Sequence, residues 1–249
     1  IYPNRHGKLN IIDGIKNSCN VYFSEMGHRL SSDTSTGEYN PNLGIERLTR
    51  FATMFGLNEK SGVELVENDP HISDINPEQS AIGQGNHSFT NVQLARYVTT
   101  IANQGTLFNL SLLDKVADRD GNVIEDFTPQ VAKQIDIRPE TWGYVKTGMR
   151  EVIHSGSAKR IFYDLEVEIA GKTGTAQESK TRANHAFFIS FAPYQNPEIA
   201  VSVNIPYGYS SANAATVAKN IYRLYFGYYT LEYVLSNGAR DVMDVRIGD

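Results

Sequence analysis

The sequence predicts an α+β fold, an antiparallel sheet flanked by helices within one domain, and three observations carry that reading. Apolar residues recur at helical spacing through much of the first hundred positions. Short alternating runs bounded by turn residues follow between 165 and 206, and a long helical stretch closes the pattern. With 249 residues the chain can bury a substantial core, and no internal repeat or low-complexity tract interrupts it.

"NIIDGIKNSCNVYFSEMGHRL" (10 to 30) places Ile11, Ile12 and Ile15, then Val21, Tyr22 and Met26, at helical spacing on either side of the polar "KNSCN". The reading is helix, tight interruption, helix. After a polar loop, "LGIERLTRFATMFGL" (43 to 57) returns to helical period with Gly56 placed to cap its end. Extended chain around Pro70 and Pro77 leads to Thr90, a helix N-cap, and a helix ending at Gly105. Residues 106 to 131 read as strands around the Asp120-Gly121 hairpin turn. A helix over 138 to 156, three strands at 165 to 176, 184 to 193 and 198 to 206, and one helix at 212 to 235 complete the chain.

Composition narrows function by exclusion. With 23 basic against 28 acidic side chains the net charge is -5, the wrong sign for a general nucleic-acid surface, so no nucleic-acid partner is expected. The single cysteine, Cys19, excludes an internal disulfide framework and any C-x-x-C motif. No apolar run approaches the roughly 18 residues that span a bilayer, and no signal segment opens the chain. A membrane anchor is therefore expected outside it. The first residue is Ile1 rather than Met, which points to a fragment.

Chemistry enters with "EIAGKTGTAQ" (168 to 177). Gly-Lys-Thr could end a phosphate-binding loop, but that loop needs a glycine five positions before Gly171, where Glu166 stands. A carboxylate there repels phosphate, and "DLEVEIAG" alternates as a strand. The remaining plain alternative is an exposed strand edge with a bulge at Gly174.

Set beside "KNSCNVYF", this strand resembles the transpeptidase domain of class B penicillin-binding proteins of the elongation type, which carries a Ser-x-Asn triad at a helix-to-helix turn and a Lys-Thr-Gly triad on an edge strand facing the same cleft. Here these are Ser18-Cys19-Asn20 and Lys172-Thr173-Gly174. The segments "LGIERLTRFATMFGLNEKSGVEL", "AIGQGNHSFTNVQLARYVTTIANQGTL", "GMREVIHSGSAK" and "HAFFISFAPYQNPEIAVSV" are similar to family segments in family order, so the resemblance covers nearly all of residues 1–249. One departure stands out. The family's nucleophile lies in a Ser-x-x-Lys motif upstream of Ser-x-Asn, and no serine here has a lysine three positions on; Ser157, followed by Arg160, also lies far too late. The chain is read as a partial transpeptidase domain whose nucleophile-bearing segment lies upstream.

The resemblance implies a peptidoglycan D,D-transpeptidase acting on D-Ala-D-Ala stem peptides through an acyl-serine intermediate, trapped by β-lactams. It gives Ser18 a proton-relay role and Asn20 a hydrogen-bonding role, with helix capping as the plain alternative for Ser18. Lys172, Thr173 and Thr175 would bind the substrate carboxylate, Gly174 would let it approach the strand, and the Thr175 N–H would form half of an oxyanion hole. It implies the extracytoplasmic membrane face, roles in cell shape, and a membrane glycosyltransferase and cell-wall assembly proteins as partners. No cofactor is needed for the chemistry. Elongation-type members hold zinc through the Ser-x-Asn cysteine, a histidine thirteen residues earlier and two upstream aspartates; here these are Cys19 and His6, with a buried free thiol and a surface histidine as the alternative. His28 and His87 are weaker candidate ligands, and His185 reads as a strand residue. A serine β-lactamase or sensor domain, and a non-catalytic docking module for cell-wall assembly, are the rival readings.

Overall fold

The computed structural model describes residues 6–179 and 181–237. Asn10 opens α1 (Ile11–Lys16) by accepting from the Asp13 amide, which satisfies one of the N–H groups left free at a helix start. After a three-residue corner comes α2 (Asn20–Leu30). α3 (Pro41–Met54) begins with a proline in its first turn and ends as its sequence predicts: Gly56 takes φ +71°, and the Gly56 and Leu57 amides donate to the Thr53 and Ala52 carbonyls. The stretch read as extended holds the one-turn helix α4 (Pro77–Ala81), too short to register as a period. Thr90 caps α5 (Asn91–Ala102) through a reciprocal pair with Gln93. Its end differs in detail, because Gln104 rather than Gly105 turns left-handed first, at φ +61°.

A nested hairpin follows, with β1 (Thr106–Asn109) pairing with β4 (Gln130–Gln134) and β2 (Lys115–Ala117) with β3 (Val123–Asp126). The predicted turn closes the inner pair, where Asp118 accepts from the Asp120 and Asn122 amides. α6 (Pro139–His154) and the short α7 (Lys159–Phe162) lead to the main sheet of β5 (Ala170–Ala176), β6 (His185–Ala192) and β7 (Ile199–Ile205), all antiparallel in the order β5-β6-β7. β5 starts later than its alternation suggests. Leu165 and Val167 instead pack against the core from the segment after α7. The terminal helix is two, α8 (Ser211–Tyr225) and α9 (Leu231–Asn237), because Gly227 at φ +72° lets the Tyr228 amide fold back on the Arg223 carbonyl.

The core lies on both faces of the main sheet. Ser190 of β6 accepts from the Tyr222 hydroxyl of α8 at 2.7 Å, and Ala214, Ala215 and Ala218 are fully buried on that helix. Ser202, on the opposite face by parity, bonds Asn91 at the start of α5. The fully buried Phe188 and Phe191 fill the space between. Lys146 of α6 is buried with no carboxylate partner among the described residues; its ammonium donates to the Ala102 carbonyl at the end of α5 and lies 5.4 Å from the Phe191 ring, and burial lowers its pKa.

α1 packs on α6 where Gly148 lies under Ile15; an added Cβ would come within 2.9 Å of the Ile15 Cβ. Gly143, on the same helix, faces open space. Gly148→Ala should therefore lower stability by about 1–3 kcal/mol through overpacking, whereas Gly143→Ala should raise it by up to ~1 kcal/mol through helix propensity. Urea unfolding midpoints of the two variants check this, and equal shifts would refute the close approach of α1 to α6.

Candidate active-site cleft

The corner between α1 and α2 is a helix-ending motif carried by a serine. The Cys19 amide donates to the Gly14 carbonyl at 3.0 Å and the Ser18 amide to the Ile15 carbonyl at 3.1 Å, with Ser18 at φ +49° where glycine is usual. A side chain in that conformation costs roughly 1–2 kcal/mol. Strain held in place by its surroundings is a mark of functional sites. Ser18 does not cap α2: the cap position falls to Cys19, which makes no side-chain bond there. The Ser18 hydroxyl is engaged elsewhere.

It accepts a hydrogen bond of 2.8 Å from the Lys172 ammonium, donated across the cleft from β5. Lys172 also donates to the Thr173 carbonyl at 2.7 Å, and among the described residues no carboxylate pairs with it. Its ammonium is screened from water without an anion in compensation, and burial pushes its pKa down to about 8. The two triads, remote in sequence, thus share one cleft. Thr173 meets Ser157, from the turn after α6, at 3.2 Å between hydroxyl oxygens. Ser157 is a cleft residue whose sequence signal, the break at His154-Ser155-Gly156, marked only a helix end. Thr175 is exposed at the open end of β5. Among the described residues β5 pairs only with β6, so its outer edge offers unpaired backbone groups to an extended ligand. Gly174 leaves that edge clear of side chain; there is no bulge, since the β5–β6 register runs unbroken from Ala170 to Ala176.

Asn20, the first residue of α2, is exposed and opens a groove of about 470 Å³ bordered by Ser24, Glu25, His28 and Glu78. Behind the corner, Cys19 is a buried free thiol and His6 is exposed. No group of three His, Cys, Asp or Glu side chains able to hold a metal occurs among the described residues. The three other histidines considered above have protein partners or strand positions. His28 faces the Glu78 carboxylate at 3.2 Å and stacks on Tyr39, His87 accepts from the Ser73 amide at 2.9 Å, and His185 opens β6 as a strand residue. Burial holds the His87 pKa below its ordinary value.

Comparison with known proteins gives the geometry a context. Residues 2–223 match the model of the penicillin binding protein transpeptidase domain. The chain is 28% identical over 233 residues to penicillin-binding protein 2A of Bacillus subtilis, covering 83% of this chain and 32% of that protein. It is 26% identical over 262 residues to the peptidoglycan D,D-transpeptidase MrdA of Haemophilus influenzae, covering 88% and 37%. The structure of penicillin-binding protein 2B from Streptococcus pneumoniae shares the fold, with a TM-score of 0.77 at 24% identity over 88% of this chain and 39% of that one. The chain spans about a third of the length of the curated relatives it matches.

An anion site built on Lys172, whose pKa burial lowers to about 8, would carry a definite pH signature. Below that value Lys172 is charged and carboxylate affinity is flat; above it each molecule must first take up a proton, so affinity falls, approaching tenfold per pH unit. NMR titration with a short peptide carboxylate between pH 6 and 10 should show this break, and Lys172→Ala should abolish it. A flat profile to pH 10 would mean that the ammonium is not what the carboxylate meets.

Proposed function

The chain belongs to the penicillin binding protein transpeptidase domain family, and from that premise we propose that it supplies most of the cleft of a serine D,D-transpeptidase that cross-links peptidoglycan stem peptides and is acylated by β-lactams. The observation that supports this best is the 2.8 Å contact between Lys172 and Ser18, a cation without an anion held against a strained hydroxyl beside a free strand edge. A peptide ending in D-Ala-D-Ala would lie along β5. Its carboxylate would meet Lys172, Thr173 and Thr175, and its scissile carbonyl the Thr175 N–H. The Asn20 amide, without a side-chain hydrogen bond among the described residues, would take the peptide backbone from the other wall.

In the reaction, a serine outside this chain adds to the amide carbon, and the C–N bond breaks to release D-alanine. The proton that the leaving nitrogen needs passes through the Ser18 hydroxyl, which can donate and accept at once. The amine of a second stem then attacks the ester, forming the cross-link and freeing the serine. Lys172 keeps Ser18 oriented and tips its acidity toward donation. For zinc, Cys19 and His6 would supply two donors; the described residues hold no third, so the chemistry is derived without a metal. The extracytoplasmic membrane face, and a membrane glycosyltransferase as partner, belong to the same proposal. No helix of the described residues is long and apolar enough to cross a membrane.

Intact mass spectrometry under denaturing conditions of the protein with its upstream sequence, after incubation with a β-lactam, should show the gain of one opened lactam. A folded sample that gains none would favour the docking-module reading, and rapid return of the hydrolysed drug would favour a β-lactamase. Ser18→Gly separates strain from chemistry. Relief of the left-handed serine is offset by loss of the bond to Lys172, so stability should stay within about 1 kcal/mol of wild type, yet acylation should slow roughly 100-fold because the relay is gone. Unchanged labelling kinetics in that variant would remove Ser18 from the mechanism.

A further inference from the structure

The open end of β5 leads to a second strained corner that the reaction does not use. Tyr207 and Tyr209, between β7 and α8, both have left-handed backbones, at φ +54° and +64°, and both rings are largely exposed. Side chains from three segments lock this corner. The Tyr207 amide donates to His185 Nδ1 at 3.3 Å, so the remaining imidazole proton sits on Nε2 and goes to Glu178 Oε2 at 3.0 Å. The Tyr207 hydroxyl donates to the same carboxylate at 3.2 Å and accepts from Arg182 Nη1 at 2.9 Å. The Arg182 guanidinium lies 5.6 Å from the Tyr207 ring centre.

The bonds in this network leave one group over. Glu178 is used twice, and bonds from His185 and then Tyr207 hold its pKa below the ordinary carboxylate value. Arg182 contributes to that field, but no carboxylate lies within ion-pair distance of it among the described residues. Among the described residues one of its five N–H donors has a hydrogen-bond partner, and the planar fork is already oriented by Tyr207. The unspent capacity is for an anion, and a carboxylate fits the fork two bonds at a time.

Position says which anion. Lys172, Gly174 and Ala176 share one face of β5, and Ala176 sits opposite His185. The locked corner therefore lies about 13 Å along the strand from Lys172, at roughly 3.4 Å per residue. A peptide with its scissile carbonyl at the Thr175 N–H is already about 10 Å along the strand from Lys172, and one further residue of roughly 3.4 Å reaches the corner. The residue preceding D-Ala-D-Ala would therefore lie level with it.

We propose that Arg182, presented by Tyr207, is a specificity-determining residue that binds a side-chain carboxylate on the residue preceding D-Ala-D-Ala in the donor peptide. This rests on the donor orientation proposed above, and the test separates the two. NMR titration of the chain at constant ionic strength compares acetyl-Glu-D-Ala-D-Ala with acetyl-Gln-D-Ala-D-Ala, probes that differ at one carboxylate. The wild type should bind the Glu peptide roughly fivefold more tightly. Arg182→Gln should erase the difference while leaving the Gln peptide unaffected, Arg182→Lys should keep part of it, and Tyr207→Phe should reduce it. Equal binding of both peptides by the wild type overturns this inference alone, as does an equal loss of both in Arg182→Gln, which would make the residue a structural clip. Failure of both peptides to bind the wild type overturns the donor orientation and this inference together.

Discussion

An ammonium kept partly out of water without an anion is the constraint around which the cleft is arranged. A desolvated cation destabilises the folded state unless dipoles replace its hydration, and here the Ser18 hydroxyl and the Thr173 carbonyl do so. Both must be held rigidly. The hydroxyl is fixed by a corner that forces its residue left-handed, and the carbonyl by a strand paired along seven consecutive positions with β6. The corner depends on α1 lying close to α6, and α6 on the sheet that carries Lys172. The scaffold that closes this circuit is the common packing of helices on an antiparallel sheet. What is particular is the charge left without an anion among the described residues.

Much of this was legible in the sequence, for physical reasons that differ by residue. The α1–α2 interruption was visible because "KNSCN" breaks two apolar periods, and Gly56 announced the end of α3 because only glycine turns left-handed there without cost. The pairing of Ser18 with Lys172 could not come from period or propensity. It came from motif resemblance, and the geometry brings the two together. Ser18 as a helix cap was a reasonable local reading that failed because a tertiary bond outcompeted the local one.

The misses also share a cause. α4 and α7 are too short to show a period, and the break at Gly227 was hidden inside a run of apolar and aromatic residues that reads as one continuous face. Ser157 was passed over because a single serine after a helix carries no signal until a strand from elsewhere is laid beside it. The corner of Tyr207 and Tyr209 was invisible for the same reason: nothing in "PYGYSS" says that two tyrosines rather than the glycine between them will adopt left-handed backbones.

The unpaired edge of β5 has a consequence for selection among peptides. A bare strand edge accepts any extended chain, including a segment from the middle of another protein. Here the invitation is conditional. An internal segment would lay a peptide bond against Lys172, leaving the charge unanswered, while a chain that ends there presents its own carboxylate. On the donor orientation proposed above, the edge would discriminate between ends and middles as a reader of termini, and the lysine that draws the right peptide in would also keep a neighbouring copy from adding itself as a further strand.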